Sequence, residues 1–161
     1  MTKRGADLPF ALPATTSAAR ARARRIDDAL AKAHPDAHCE LQWHEPHQLL
    51  FATILSAQCT DVAVNRATNG LFAAFPKVKN YAQASPEAIG EHIKTIGLHR
   101  NKAKFLHRAA QLLMHDHQGD VPQELEALVA LPGVARKTAN VVLGNAFGIN
   151  VGVVVDTHVS R

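Results

Sequence analysis

Residues 131–143 read Leu131-Pro132-Gly133-Val134-Ala135-Arg136-Lys137-Thr138-Ala139-Asn140-Val141-Val142-Leu143. Proline followed by glycine is the signature of a type II turn, in which glycine supplies a positive φ. Beyond it Ala139, Val142, Leu143 and Ala146 fall on one helical face. The stretch therefore predicts a tight fold-back and a helix beginning near Ala135. The first N–H groups of that helix have no intrahelical acceptor and point outward as anion donors, a geometry suited to phosphate. A plain helix-to-helix turn is the commoner use of such a sequence. Arg136 and Lys137 argue for more, because the macrodipole disfavours cations in a first turn and their presence there implies a use that outweighs the local cost.

Outward from the hairpin, helical punctuation dominates. A first helix is predicted from near Ser17 to Ala33, ended by Pro35. Pro46 suits the first turn of a helix carrying Leu49, Leu50, Thr53, Ile54 and Ala57. Thr60 or Asp61 caps a third running toward Phe75, with Pro76 beyond it. Short helices are expected over 78–84 and, with the Ser85-Pro86 start signal, over 85–95. Gly97 breaks the chain, and Asn101 to about Asp116 reads as a long amphipathic helix with Ala103, Leu106, Ala110 and Leu113 inward. Pro122 opens another short helix through Val129. Only 151–155 reads as extended. The fold class is all-α: a helical bundle domain with a helix-hairpin-helix motif.

Composition agrees with a globular chain that has a polyanionic partner. Of 161 residues, 47% are apolar and 20% charged, which argues against a largely disordered protein. Aromatics are only 5%, too few for a stack of base-binding rings. Lysine and arginine outnumber acids by 18 to 14, giving a net charge of +4. The basic residues cluster at Arg20, Arg22, Arg24 and Arg25, read as a solvated helix face, and at Arg100, Lys102, Lys104 and Arg108. Cys39 and Cys59 have no C-x-x-C spacing and read as small buried thiols. Prolines interrupt the pairs His34/His38 and His44/His47, which argues against aligned metal ligands. No apolar run reaches the roughly 20 residues of a membrane span. A basic flexible tail is expected over 1–16, a helix within 17–44, the helical domain that carries the hairpin over 45–150, and a further segment over 151–161.

Two residues stand out chemically. A free lysine has a pKa of about 10.4 and must be depressed to attack carbon. A neighbouring guanidinium, the positive end of a helix and burial all act in that direction, and position alone offers Lys137 the first two. Asp156 ends the apolar segment Val151-Gly152-Val153-Val154-Val155. Its simplest role is to cap a helix starting at Thr157, and its place is also one where a cleft would hold an acid/base group.

The 131–143 stretch, followed by Val155-Asp156-Thr157-His158-Val159, resembles the endonuclease III family of helix-hairpin-helix DNA glycosylases and AP lyases. The segments Leu55-Ser56-Ala57-Gln58-Cys59-Thr60-Asp61, with Val64 and Asn65, and Ile96-Gly97-Leu98-His99-Arg100-Asn101-Lys102-Ala103 agree with it too. The resemblance spans Pro46 to Arg161. It implies a substrate of duplex DNA carrying an oxidised pyrimidine or an abasic site, with the damaged nucleotide flipped from the stack. It implies Lys137 as the nucleophile at C1′ that forms a Schiff base, with strand cleavage by β-elimination, and Asp156 as the assisting carboxylate. Gln58 matches the residue that fills the vacated hole and Leu98 the wedge into the opposite strand; taken alone, Gln58 reads as a helix cap and Leu98 as a core residue. The hairpin residues Leu131, Gly133, Val134, Ala135 and Arg136 would meet the phosphate backbone. A monomeric bacterial protein, cytoplasmic and associated with the nucleoid through DNA, is expected.

The chain departs from the family pattern twice. Ala135 stands where a second glycine is usual, and an ordinary helical φ is expected there with the phosphate grip intact. The family continues beyond the position of Arg161 with four cysteines that bind a [4Fe-4S] cluster, and none of them is in this sequence. The resemblance thus implies a C-terminally truncated chain whose activity on its own is in question, with 17–44 belonging to an incomplete second helical domain, 45–150 forming the DNA-binding domain and 151–161 starting the truncated half. The related mismatch adenine glycosylases lack a lysine at the position of Lys137, and a non-enzymatic hairpin DNA-binding module has no need of Asp156 or Gln58.

Overall fold

The computed structural model describes residues 15–156. Most of the expected basic tail and the expected helix from Thr157 lie outside that range. Among the described residues the chain forms eight helices and no strand: α1 (Ser17–Ala33), α2 (Pro46–Leu55), α3 (Asp61–Ala74), α4 (Val78–Gln83), α5 (Pro86–His92), α6 (His99–Asp116), α7 (Leu125–Val129) and α8 (Arg136–Phe147). Two compact units are present, one up to His38 and one from Cys39 onward. The first contains α1, where the Thr16 hydroxyl accepts from the Ala19 N–H at 3.1 Å and Ile26 and Leu30 are exposed.

The second unit is built around α2. Every residue from Gln48 to Leu55 is buried, so this helix has no solvent face over that span. Pro46 occupies its first turn, and the Gln48 side-chain carbonyl accepts from the backbone N–H groups of His44 at 2.8 Å and Glu45 at 3.2 Å. Helices α3, α6 and α8 pack against α2, while α6 also carries α4 and α5, and α7 packs on α8. Phe51 meets Tyr81 edge-on with ring centroids 4.7 Å apart, and burial pushes the Tyr81 phenol well above its ordinary pKa. Asn65 on α3 pins the incoming chain at both ends of its amide, accepting from the Gln42 N–H at 2.9 Å and donating to the Glu40 carbonyl at 2.8 Å.

Four boundaries differ from those read in the sequence. α2 ends at Leu55, which leaves Ala57 exposed in the following turn instead of on the helix. α5 stops at His92 because the chain turns through Ile93 to Ile96, closed by a 2.9 Å bond, to bury both isoleucines. α6 starts two residues early, at His99. Pro122 does not open α7; it is buried with Val121 in the linker, and the helix begins at Leu125. Cys39 and Cys59 are free and half-buried. No helix among the described residues is long and apolar enough to cross a membrane.

Candidate functional site

The hairpin closes as a turn in which the Val134 N–H donates to the Leu131 carbonyl at 3.1 Å and Gly133 has φ +79°. A β-carbon at Gly133 would stand 3.2 Å from Ile54 Cγ2 and 3.3 Å from Phe105 Cδ2, so glycine is required by backbone angle and by packing. Leu131 and Val134 are 4% and 6% exposed and anchor the turn in the core, leaving Gly133 at the surface. The Val134 N–H is consumed by the turn, and its buried side chain has no way to meet a ligand, which narrows its expected role to placing the backbone.

Ala135 is not in the helix. It is the N-cap of α8, with φ −93° and ψ 171° in the extended region that a cap residue adopts. The expected helical conformation is corrected, although φ is negative and alanine carries no left-handed strain. The first α8 return bond runs from the Ala139 N–H to the Ala135 carbonyl at 3.0 Å. The N–H groups of Arg136, Lys137 and Thr138 therefore have no intrahelical acceptor. Unlike Thr16, Thr60 and Ser85 at α1, α3 and α5, Ala135 has no side-chain oxygen to offer them.

Arg136 and Lys137 are both exposed beside this turn. Of the three influences on the Lys137 amine, burial is not supplied by the described residues. Asn140, one turn further along α8, is 7% exposed, and its Nδ2 donates to the Val153 carbonyl at 3.4 Å. A β-carbon at Gly152 would stand 3.0 Å from the same Nδ2, so residues 152–153 lie directly against Asn140. This contact joins the segment ending in half-buried Asp156 to the helix that carries Lys137.

Gln58 and Leu98 lie in separate turns, and both have left-handed backbones, with φ +54° and +59°. Such a conformation costs a residue with a β-carbon roughly 1–2 kcal/mol. Gln58 is the third residue of a turn from Ser56 to Cys59, closed by a 3.0 Å bond. Leu98 is the N-cap of α6 and is 61% exposed, so the reading of it as a core residue is overturned. The carbonyls at the end of α2 are not held by the Gln58 side chain. Lys102 holds them, its Nζ donating to Leu55 O at 2.9 Å and Ala57 O at 2.8 Å.

Lys102 and Asn140 are the residues that the sequence reading missed. Lys102 is four residues before Leu106 and Asn140 three before Leu143, both on apolar stripes. A polar residue at a stripe position was the available signal. Arg100, Lys104 and Arg108 project to solvent from α6. Two cysteines do not make the four-cysteine set of an iron–sulfur cluster, and the described residues contain no group of three or more metal-ligating side chains.

Residues 51–161 match the family described as HhH-GPD superfamily base excision DNA repair protein. Over 140 residues the chain is 51% identical to an endonuclease III of Synechocystis sp., covering 87% of this chain and 64% of that one, so it spans a little under two thirds of that relative's length. It is similar to a solved non-covalent endonuclease III–DNA complex, with TM-score 0.80 and 44% identity over 88% of this chain and 66% of the other. A trapped endonuclease III–DNA covalent intermediate, in an estranged-adenine complex, has TM-score 0.79 and 43% identity over 86% of this chain and 65% of the other.

Proposed function

Given that the chain belongs to the HhH-GPD superfamily of base excision DNA repair proteins, we propose that it acts on damaged duplex DNA as a bifunctional glycosylase and AP lyase. Lys137 is the nucleophile, Asp156 its carboxylate partner, and duplexes with oxidised pyrimidines or abasic sites are the substrates. The observation that carries this reading is the junction of hairpin and helix. Gly133 turns the chain so that α8 begins at the surface with uncapped N–H groups and Lys137 beside them.

In the reaction, the hairpin binds a phosphate through the backbone N–H groups of Ala135, Arg136 and Lys137, helped by the Arg136 charge. The sugar is thereby set beside the Lys137 amine. The neutral amine attacks C1′, the N-glycosidic bond breaks, and the base leaves with the bonding pair. Asp156 accepts the proton lost by the lysine or stabilises positive charge developing on the sugar. The nitrogen lone pair then expels O4′, which takes up a proton, so the sugar ring opens to a protonated Schiff base at C1′. This acidifies C2′, and loss of that proton breaks the C3′–O bond, expels the 3′ phosphate and cuts the strand. Gln58 fills the space left by the flipped nucleotide, and Leu98 wedges into the opposite strand. The protein works as a cytoplasmic, nucleoid-associated monomer.

Borohydride reduction in the presence of an abasic duplex tests the proposal. A covalent protein–DNA adduct is expected, and its loss in Lys137→Ala. Duplex binding with no adduct from the wild-type protein would reduce the chain to a DNA-binding module.

A further inference from the structure

We infer that Lys102 is a positioning residue, whose ammonium group sets the Gln58 and Leu98 turns at a fixed separation so that both side chains enter a duplex together. The inference rests on the DNA reading above. Lys102 is 4% exposed, and a buried ammonium is tolerated only where its donors are satisfied. Its Nζ spans the C-terminal end of α2, bonding the carbonyls of Leu55 and of Ala57, the residue before Gln58. A cation is well placed at that negative end of a helix. Through its backbone the same residue donates to the Leu98 carbonyl at 3.0 Å. A single side chain and its own amide thus link two turns 40 residues apart in sequence.

The two linked residues share a conformation that the backbone disfavours. Gln58 and Leu98 are two of only three non-glycine residues with positive φ among the described residues, and both are exposed. A left-handed leucine persists only where its surroundings dictate it. Lys102 hydrogen-bonds the carbonyl of Ala57, next to Gln58 within the first turn, and the carbonyl of Leu98 itself in the second. Burial lowers the Lys102 pKa, opposed by the negative charge of a Cys59 thiolate, as for an amine withdrawn from water.

A lysine that merely capped α2 would affect stability and nothing else. The test therefore reads DNA distortion in folded protein, using a duplex with a tetrahydrofuran abasic analogue opposite 2-aminopurine. Wild-type protein should brighten the 2-aminopurine by unstacking it and should prefer this duplex to an undamaged one. Lys102→Met, at a temperature where its circular dichroism is native, should lose the brightening and about tenfold of the preference, with undamaged-duplex affinity unchanged. Lys102→Arg, which restores the charge and reach, should recover part of both. Brightening and preference retained in Lys102→Met overturn the inference alone; a wild-type protein showing neither overturns the DNA reading and the inference with it. If Lys102→Met does not fold, a cycle on Gln58→Ala and Leu98→Ala, both surface changes, decides the matter. Non-additive losses of preference are expected, and additive losses overturn the inference.

Discussion

Asn140 donates from Nδ2 to the carbonyl of Val153 at 3.4 Å, while its Oδ1 is buried without a partner among the described residues. One amide thus ties α8 to the segment that leads to Asp156. Asn140→Leu keeps the volume and removes both the tether and the orphan acceptor. Stability should change by no more than about 1 kcal/mol, while formation of the borohydride-trapped adduct should slow by about tenfold, or ~1.4 kcal/mol of transition-state stabilisation. An unaltered trapping rate would show that the tether has no part in the reaction.

Gly133→Ala adds left-handed strain of roughly 1–2 kcal/mol and crowds Ile54 and Phe105, both within 3.4 Å of the added carbon. The melting temperature should fall by about 5 °C, and affinity for undamaged duplex should fall with it as the turn shifts. A melting curve superimposable on wild type would contradict the packing described for this turn.

Arg136 is exposed beside the uncapped end of α8. In Arg136→Ala, duplex affinity should weaken alike for damaged and undamaged DNA. The slope of log K against log salt should become shallower by about 0.9, the equivalent of one phosphate contact. A parallel slope measured by salt titration would remove Arg136 from the phosphate contacts.

His47, in the first turn of α2, carries a pKa below the ordinary histidine value because its burial outweighs the attraction of Glu45. The unfolded chain takes up a proton near pH 6.5 that the folded protein resists. Stability is therefore fully present above about pH 6.5 and is lost as pH falls through the lowered native value. Thermal melts between pH 7.5 and pH 5 should show this decline, and His47→Phe should flatten it; identical pH dependence in the variant would assign the decline to other groups.

What the sequence disclosed depended on how far away the deciding partner lay. The Thr60 cap and the Gly133 turn depend on neighbours within a few residues, so composition and spacing revealed both. Lys102 offered only the signal of a charge on an apolar stripe, because its acceptors are Leu55 and Ala57, 47 and 45 residues away. Asn140 has its partner on a segment with no helical periodicity. Pro122 misled for the opposite reason: a valid local start signal yielded to burial in the core. Local grammar located the hairpin, whereas the long-range bonds that orient the surface emerged only with packing.

The complete burial of α2 between Gln48 and Leu55 has a dynamic consequence. Ile54 lies under the hairpin glycine, and the carbonyl of Leu55 receives the Lys102 ammonium. Amides in a helix with no wet side exchange with solvent only when the whole unit opens. The surface resting on α2 therefore cannot soften by stages, and in a thermal ramp the loss of DNA binding should coincide with the disappearance of the slowest-exchanging amides.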